Sequence, residues 1–196
     1  STRKGNVILL EEVLNKTFEL TRQLVKDPKI KAPQKEEIAK AVGISALIYG
    51  DLSNDRIRDI KFDWNNLLRL EGDSGPYLQY TYARAKSILR NAKLKKSEKQ
   101  DFKPTSLTPE EELLITDLSE FQYVIQEAAD KLAPNVIANY IAKVADHFNT
   151  FYEKCPVLKE GIDKKTMESR LALTTATAQV LSNGMKLLGM VPLERM

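Results

Sequence analysis

Segment 72–92 combines aromatic and cationic side chains at spacings that suit contact with a nucleic acid. Placed on a helix, its apolar residues form one stripe at i, i+4 and i+7 spacing: Leu78, Tyr82, Ala85, Leu89 and Ala92. Tyr77, Tyr80 and Arg84 lie more than a quarter-turn away, on a face that the core does not need. Two aromatic rings and a guanidinium group on one face could stack an unpaired nucleobase and hold its phosphate.

The local pattern leaves a structural role open for the same tyrosines. Tyrosines beside a main apolar stripe commonly pack against a second neighbouring helix, while the hydroxyl group stays in contact with water. Spacing within one helix favours this packing role over RNA contact, so the choice depends on the rest of the chain.

Cationic residues are concentrated next to this helix. Between residues 82 and 103 there are eight Lys or Arg and two acidic residues, so this window carries +6 in a chain of formal net charge +3. A local basic patch is typical of nucleic-acid-binding surfaces, and Lys86 and Arg90 would hold RNA phosphates there. The other interpretation is a solvated lysine-rich linker, which fits residues 93–103 well.

Composition and motifs limit the remaining chemistry. One histidine, His147, excludes a histidine-rich metal site, so we assign no metal ligands; one cysteine, Cys155, excludes an internal disulfide. A Cys–His pair is not excluded by these counts, but Cys155 precedes Pro156 at a predicted helix end, which favours a structural role. The chain has no GxGxxG, complete P-loop, HExxH or GxSxG motif, so no catalytic constellation stands out.

Localisation signals are also lacking in the sequence. No apolar run approaches the roughly 18–20 residues that cross a bilayer, and no signal peptide is evident. We therefore expect a cytoplasmic protein without a membrane partner.

The apolar patterns follow the helical period almost throughout, which predicts an all-α helical bundle with short connections. The predicted helical segments are 9–25, 33–49, 62–70, 72–93, 119–132, 134–155 and 164–183, with Gly184 and Gly189 marking the end of the last one. A further helix start is predicted at Thr108, because Thr suits the N-cap, Pro109 the first turn, and Glu110 and Glu111 the positive end of the helix dipole.

Three separated segments carry a family resemblance. Residues 1–8, STRKGNVI, are similar to the end of the KMSKS-type signature loop of class I aminoacyl-tRNA synthetases. Residues 72–80, GDSGPYLQY, resemble the GxxxPYLQY segment of arginyl-tRNA synthetases, and residues 170–196 resemble the DALR-type anticodon-binding domain. Asn139-Tyr140 and Phe151-Tyr152 add a fourth match in the right order, so the chain resembles the C-terminal part of the arginyl-tRNA synthetase family.

The resemblance implies the tRNA-binding end of an enzyme that attaches arginine to tRNA(Arg) with ATP and Mg²⁺. It implies an all-α anticodon-binding bundle over residues 72–196, and before it a helical junction over residues 1–71 to a catalytic domain missing from this chain. The remnant of the ATP-side loop would consist of Ser1, Thr2, Arg3 and Lys4. We therefore expect the fragment to hold no cofactor and to be inactive on its own.

The resemblance also implies which side chains meet the anticodon. These are Tyr77, Tyr80, Arg84, Tyr152 and Met196, with Met196 expected to be the true C-terminus of such an enzyme. Tyr152 fits a core position equally well, because it continues the apolar side of Phe148 and Phe151. A helical protein-interaction module without RNA binding is the competing function.

Overall fold

The computed structural model describes residues 9–23, 30–58, 63–92, 102, 104 and 106–196. Regular secondary structure within these residues is entirely helical, which confirms the predicted all-α fold. The helices are α1 (Leu10–Arg22), α2 (Ala32–Leu52), α3 (Trp64–Leu67), α4 (Gly75–Asn91), α5 (Pro109–Asp130), α6 (Pro134–Lys154) and α7 (Lys164–Leu187). None of these described helices combines the length and apolar character that a membrane crossing requires.

The main core lies where α4, α6 and α7 meet. α5 packs on α6 and α7, α2 packs on α4, and α1 lies on the outer side of α2. Four helices, α4, α5, α6 and α7, contribute apolar side chains with no exposed surface to this core: Leu78, Leu114, Ile141, Phe148, Phe151 and Leu181. Because α4 contacts α2, α6 and α7, its orientation is fixed from three sides.

The start of α5 agrees with the prediction at Thr108. The Thr108 hydroxyl accepts a hydrogen bond from the Glu111 amide at 3.3 Å, and the Glu111 carboxylate accepts one from the Thr108 amide at 2.7 Å, which completes a capping box. The prediction of a separate helical piece over 119–132 is wrong, because α5 runs without interruption to Asp130. Its buried side continues across position 119 through Leu118 and Phe121, which pack on the core.

Two glycines set the spacing between helices. A Cβ atom on Gly75 would lie 2.5 Å from the carbonyl oxygen of Ser45 in α2, and one on Gly184 would lie 2.3 Å from Ile141 Cγ2 in α6. The prediction that Gly184 marks a helix end is therefore wrong: it lies inside α7, where it permits close approach of α6. Gly189 does lie just beyond the end of α7, with φ of +83°.

Substitution of Gly75 tests the contact between α2 and α4. We expect Gly75→Ala to lower the free energy of unfolding by about 1–3 kcal/mol, because the obstructing atom is backbone and cannot rotate away. Urea unfolding followed by far-UV circular dichroism measures the change. Asn91→Ala, at an exposed position of the same helix, is the control and should stay within about 0.5 kcal/mol of the parent chain. Equal midpoints for the two variants would contradict the close approach.

Candidate nucleic-acid interface

The core side of α4 agrees with the predicted stripe, but Tyr77 does not lie outside it. Leu78, Tyr82 and Ala85 are buried, and so is Tyr77, which is 9% exposed and belongs to the main core. The prediction that Tyr77 occupies a face the core does not need is therefore wrong. α6 crosses α4 at this point, so a face that is free on an isolated helix is covered in the bundle.

The Tyr77 hydroxyl group joins α4 to α6. It donates a hydrogen bond to Asp146 Oδ1 at 2.7 Å and accepts one from Asn149 Nδ2 at 2.8 Å. Burial raises the pKa of Tyr77 to about 12, and the hydrogen bond to the Asp146 carboxylate acts in the same direction. Tyr77 thus remains protonated at neutral pH. Little of its ring is exposed, and its contact with the anticodon stays a prediction.

Arg84 is held between two partly exposed tyrosine rings. Its Nη1 donates to Asn149 Oδ1 at 2.6 Å, and its Nη2 donates to the Tyr80 hydroxyl at 3.2 Å. The guanidinium carbon lies 4.8 Å from the centre of the Tyr80 ring and 5.3 Å from that of Tyr152. A cation this close to an aromatic face is attracted by the ring quadrupole, so the three side chains form one cluster.

A surface depression surrounds this cluster, and we call it the tyrosine groove. Its larger part has a volume of about 680 Å³ and its smaller part about 290 Å³, and Tyr80, Arg84 and Met196 line both. Tyr152 lines the smaller part, and Tyr77 contributes an edge to the larger part. Tyr80 is 38% exposed and Tyr152 40% exposed, so each ring presents surface to a ligand. The structure thus brings all five predicted anticodon-binding residues together.

Lys86 and Arg90, predicted as phosphate ligands, each have a protein partner. Lys86 Nζ lies 3.3 Å from Glu194 Oε1, and Arg90 Nη1 donates to the Glu194 carbonyl oxygen at 2.9 Å. Their contact with RNA phosphate stays a prediction. The lysine-rich residues 93–101 lie outside the described residues, and so do the predicted loop residues Ser1, Thr2, Arg3 and Lys4.

Sequence reasoning missed Asp146 and Asn149. Together with Glu153, which lines the groove, they follow i, i+3, i+7 spacing and form a polar edge on α6. That spacing was available as a signal for a polar face. Sequence spacing could not show their partners on α4, because the Tyr77 hydroxyl and the Asp146 carboxylate are 69 residues apart in the sequence.

His147 and Cys155 contact different residues outside the groove. His147 Nδ1 contacts the buried carboxylate of Asp117, which also pairs with Lys143 at 3.0 Å. Cys155 is buried, with its sulfur atom 3.2 Å from the Thr108 hydroxyl. These contacts agree with structural roles for both residues.

Comparison with known proteins defines the class to which this bundle and groove belong. Residues 78–196 match the family model described as the DALR anticodon binding domain, and the chain belongs to that family. Residues 1–64 match the model described as tRNA synthetases class I (R), catalytic domain.

Individual relatives agree with the family matches. The chain is 44% identical over 198 residues to an arginine–tRNA ligase of Clostridium perfringens, and 42% identical over 199 residues to arginine–tRNA ligase 1 of Bacillus cereus. Each comparison covers 100% of this chain and 34% of the relative. The chain therefore spans about a third of the length of the curated relatives it matches.

Solved structures share the fold. The arginyl-tRNA synthetase of Thermus thermophilus superposes with a TM-score of 0.87 at 31% identity, over 97% of this chain and 32% of that one. The arginyl-tRNA synthetase of Plasmodium falciparum superposes with a TM-score of 0.83 at 25% identity, over 97% of this chain and 34% of that one.

The Tyr77 hydroxyl predicts a specific dependence of stability on pH. Its pKa in the folded chain is about 12, above the value of about 10 of an unfolded tyrosine. The protonated Tyr77 hydroxyl therefore contributes to the free energy of unfolding below pH 10, and this contribution is lost as the pH rises through about 12. We expect Tyr77→Phe to lower the free energy of unfolding by about 1 kcal/mol at neutral pH. The free energy of unfolding of this variant should then fall less steeply than that of the parent chain as the pH becomes alkaline.

Urea unfolding at a series of alkaline pH values measures this slope. Tyr123→Phe is the control, because Tyr123 is 74% exposed and its substitution should change neither quantity. If the free energy of unfolding of Tyr77→Phe fell as steeply with alkaline pH as that of the parent chain, the assignment of this pH dependence to Tyr77 would be refuted.

Proposed function

We propose that this chain is the anticodon-binding part of an arginyl-tRNA synthetase and that it binds tRNA(Arg) through the tyrosine groove. One observation carries the proposal: Tyr80, Arg84, Tyr152 and Met196, from three separated parts of the chain, meet at one groove of a DALR domain. The relatives named arginine–tRNA ligase support the choice of tRNA.

The groove offers two kinds of contact to an unstacked base. The exposed faces of Tyr80 and Tyr152 provide stacking surface, worth roughly 1–3 kcal/mol for each base stacked. The Met196 thioether adapts to an irregular surface. Arg84 supplies a positive charge whose direction is fixed by Asn149, so that it can face a phosphate group without losing its place.

Tyr77 takes a different role in this proposal from that of a base platform. Its hydroxyl group accepts a hydrogen bond from the same Asn149 amide that holds Arg84. Tyr77 thereby fixes the orientation of the amide, and through it the guanidinium group. It acts as a positioning residue, with only an edge of its ring at the groove.

Ligation of arginine belongs, in this proposal, to a longer polypeptide. The chain spans about a third of its relatives, and the match to the class I catalytic domain covers only residues 1–64. ATP and Mg²⁺ would be used by that longer protein, which we propose to be cytoplasmic. Residues 1–71 would join the rest of the catalytic domain to the binding domain at 72–196. The boundary near residue 71 is supported by the two family matches, because the catalytic-domain match ends at 64 and the anticodon-binding match begins at 78.

Removal of the exposed rings tests the binding site. We expect Tyr80→Ala combined with Tyr152→Ala to weaken binding of a tRNA(Arg) transcript by at least tenfold, since each stacked base contributes roughly 1–3 kcal/mol. Fluorescence anisotropy at two salt concentrations, with a non-cognate tRNA alongside, measures affinity and its salt dependence.

The exposed Tyr123 of α5 provides the matched control, since Tyr123→Ala removes a ring of the same type elsewhere. Its affinity should equal that of the parent chain. Absent or salt-insensitive binding by the parent chain would instead favour the protein-interaction module.

The small extent of the catalytic-domain match, residues 1–64 of 196, predicts that this chain does not activate arginine. We expect arginine-dependent exchange between ATP and pyrophosphate to equal that of a mock preparation, because only residues 1–64 match the catalytic-domain model. Exchange above the mock level would refute this expectation.

A further inference from the structure

The chain leaves α7 through a sharply defined turn. Gly189 adopts φ of +83°, its amide donates to Lys186 O at 3.0 Å, and the Met190 amide donates to Met185 O at 2.8 Å. This pair of bonds is a Schellman motif, which ends a helix and sets the direction of the residues that follow. Met190 is 2% exposed, so the start of this C-terminal tail, residues 190–196, is anchored in the core.

Side chains of α4 hold the tail at two further points. The buried Gln79 donates from Nε2 to Val191 O at 2.7 Å. Glu194 is bound twice, through its carboxylate by Lys86 at 3.3 Å and through its carbonyl oxygen by Arg90 at 2.9 Å. These contacts fix the path of a segment that has no repeating backbone hydrogen bonds of its own.

The tail ends against both α2 and the groove. Leu193 and Met196 pack against an apolar cluster formed mainly by α2: Ile30, Ile38, Ala39 and Val42. Met196 also lines both parts of the tyrosine groove beside Tyr80 and Arg84. Met196 thus forms part of the wall of the groove, and its position depends on where the tail is held two residues earlier, at Glu194.

We infer that Glu194, clamped by Lys86 and Arg90, is a positioning residue that fixes Met196 as a wall of the tyrosine groove. On this assignment the two cations promote RNA binding through the tail and not by contact with phosphate. The inference rests on the proposed function, because it concerns the same groove.

The two roles of Lys86 differ in how substitutions change RNA binding. A carboxylate beside an RNA site repels phosphate, so if Glu194 only competed for Lys86, its removal would tighten binding. A phosphate-binding lysine also contributes to the salt slope, which falls by about one when that lysine is lost. A positioning role predicts weaker binding without Glu194, and an unchanged salt slope without Lys86.

The experiment measures binding of a tRNA(Arg) transcript to the 196-residue chain and its Glu194→Ala and Lys86→Met variants over a range of salt concentrations. We expect both variants to bind roughly three- to tenfold more weakly, with the salt slope of the parent chain. Glu127→Ala is the matched control, because it breaks an exposed Glu–Lys pair of the same kind on α5 and should bind like the parent. Tighter binding by Glu194→Ala, or a slope reduced by about one in Lys86→Met, would overturn the inference.

A second measurement follows the tail without RNA. With methionine methyl groups labelled for NMR, we expect the Met196 signal, assigned by Met196→Leu, to move towards the position of an unstructured methionine in Glu194→Ala and to stay in place in Glu127→Ala. An unmoved signal would overturn the inference whatever the RNA result. If the parent chain bound no tRNA while the signal moved, the proposed function would fail and the clamp would stand.

Discussion

The groove depends on one side-chain amide, that of Asn149, which satisfies three groups of α4 at once. It accepts a hydrogen bond from Arg84 and donates to the Tyr77 hydroxyl at 2.8 Å and the Thr81 hydroxyl at 3.0 Å. Because Thr81 is buried, loss of the amide would remove a partner of its hydroxyl group inside the bundle, whereas the Tyr77 hydroxyl would keep its bond to Asp146. The same interaction thus serves the packing of α4 on α6 and the direction of the guanidinium group at the surface.

Much of the fold follows from patterns that lie within single helices. The capping box at Thr108 and the buried stripe of α4 need only neighbours a few residues apart, and both were predictable. Tyr77 was misplaced because its environment comes from α6, whose position a single-helix pattern does not contain. The role of Gly184 was misread for the same reason: a glycine that ends a helix and one that admits a neighbouring helix look alike in sequence.

The candidate site was predictable from the family resemblance more than from local chemistry. Tyr80, Tyr152 and Met196 are far apart along the chain, and no spacing rule connects them. The motifs that carry the resemblance placed them together, and the groove is where they meet. Neither source of information showed that Lys86 and Arg90 bind Glu194, since the bond between Arg90 and Glu194 spans 104 residues. Charge counts identify a basic patch without saying which charges are already neutralised by the protein.

The turn at Gly189 and the contacts of Glu194 fix the length of the tail segment that connects the bundle to the groove. Both ends of this segment are held in place, one by the Schellman motif at Gly189 and the other by the contact of Glu194 with Lys86 on α4. An extended residue spans about 3.3 Å, so one residue added or removed between them would shift Met196 by about the thickness of an aromatic ring. A change in the identity of Val191, whose side chain is exposed and whose contact with Gln79 uses the carbonyl oxygen, is compatible with this geometry, whereas a change in the number of residues is not.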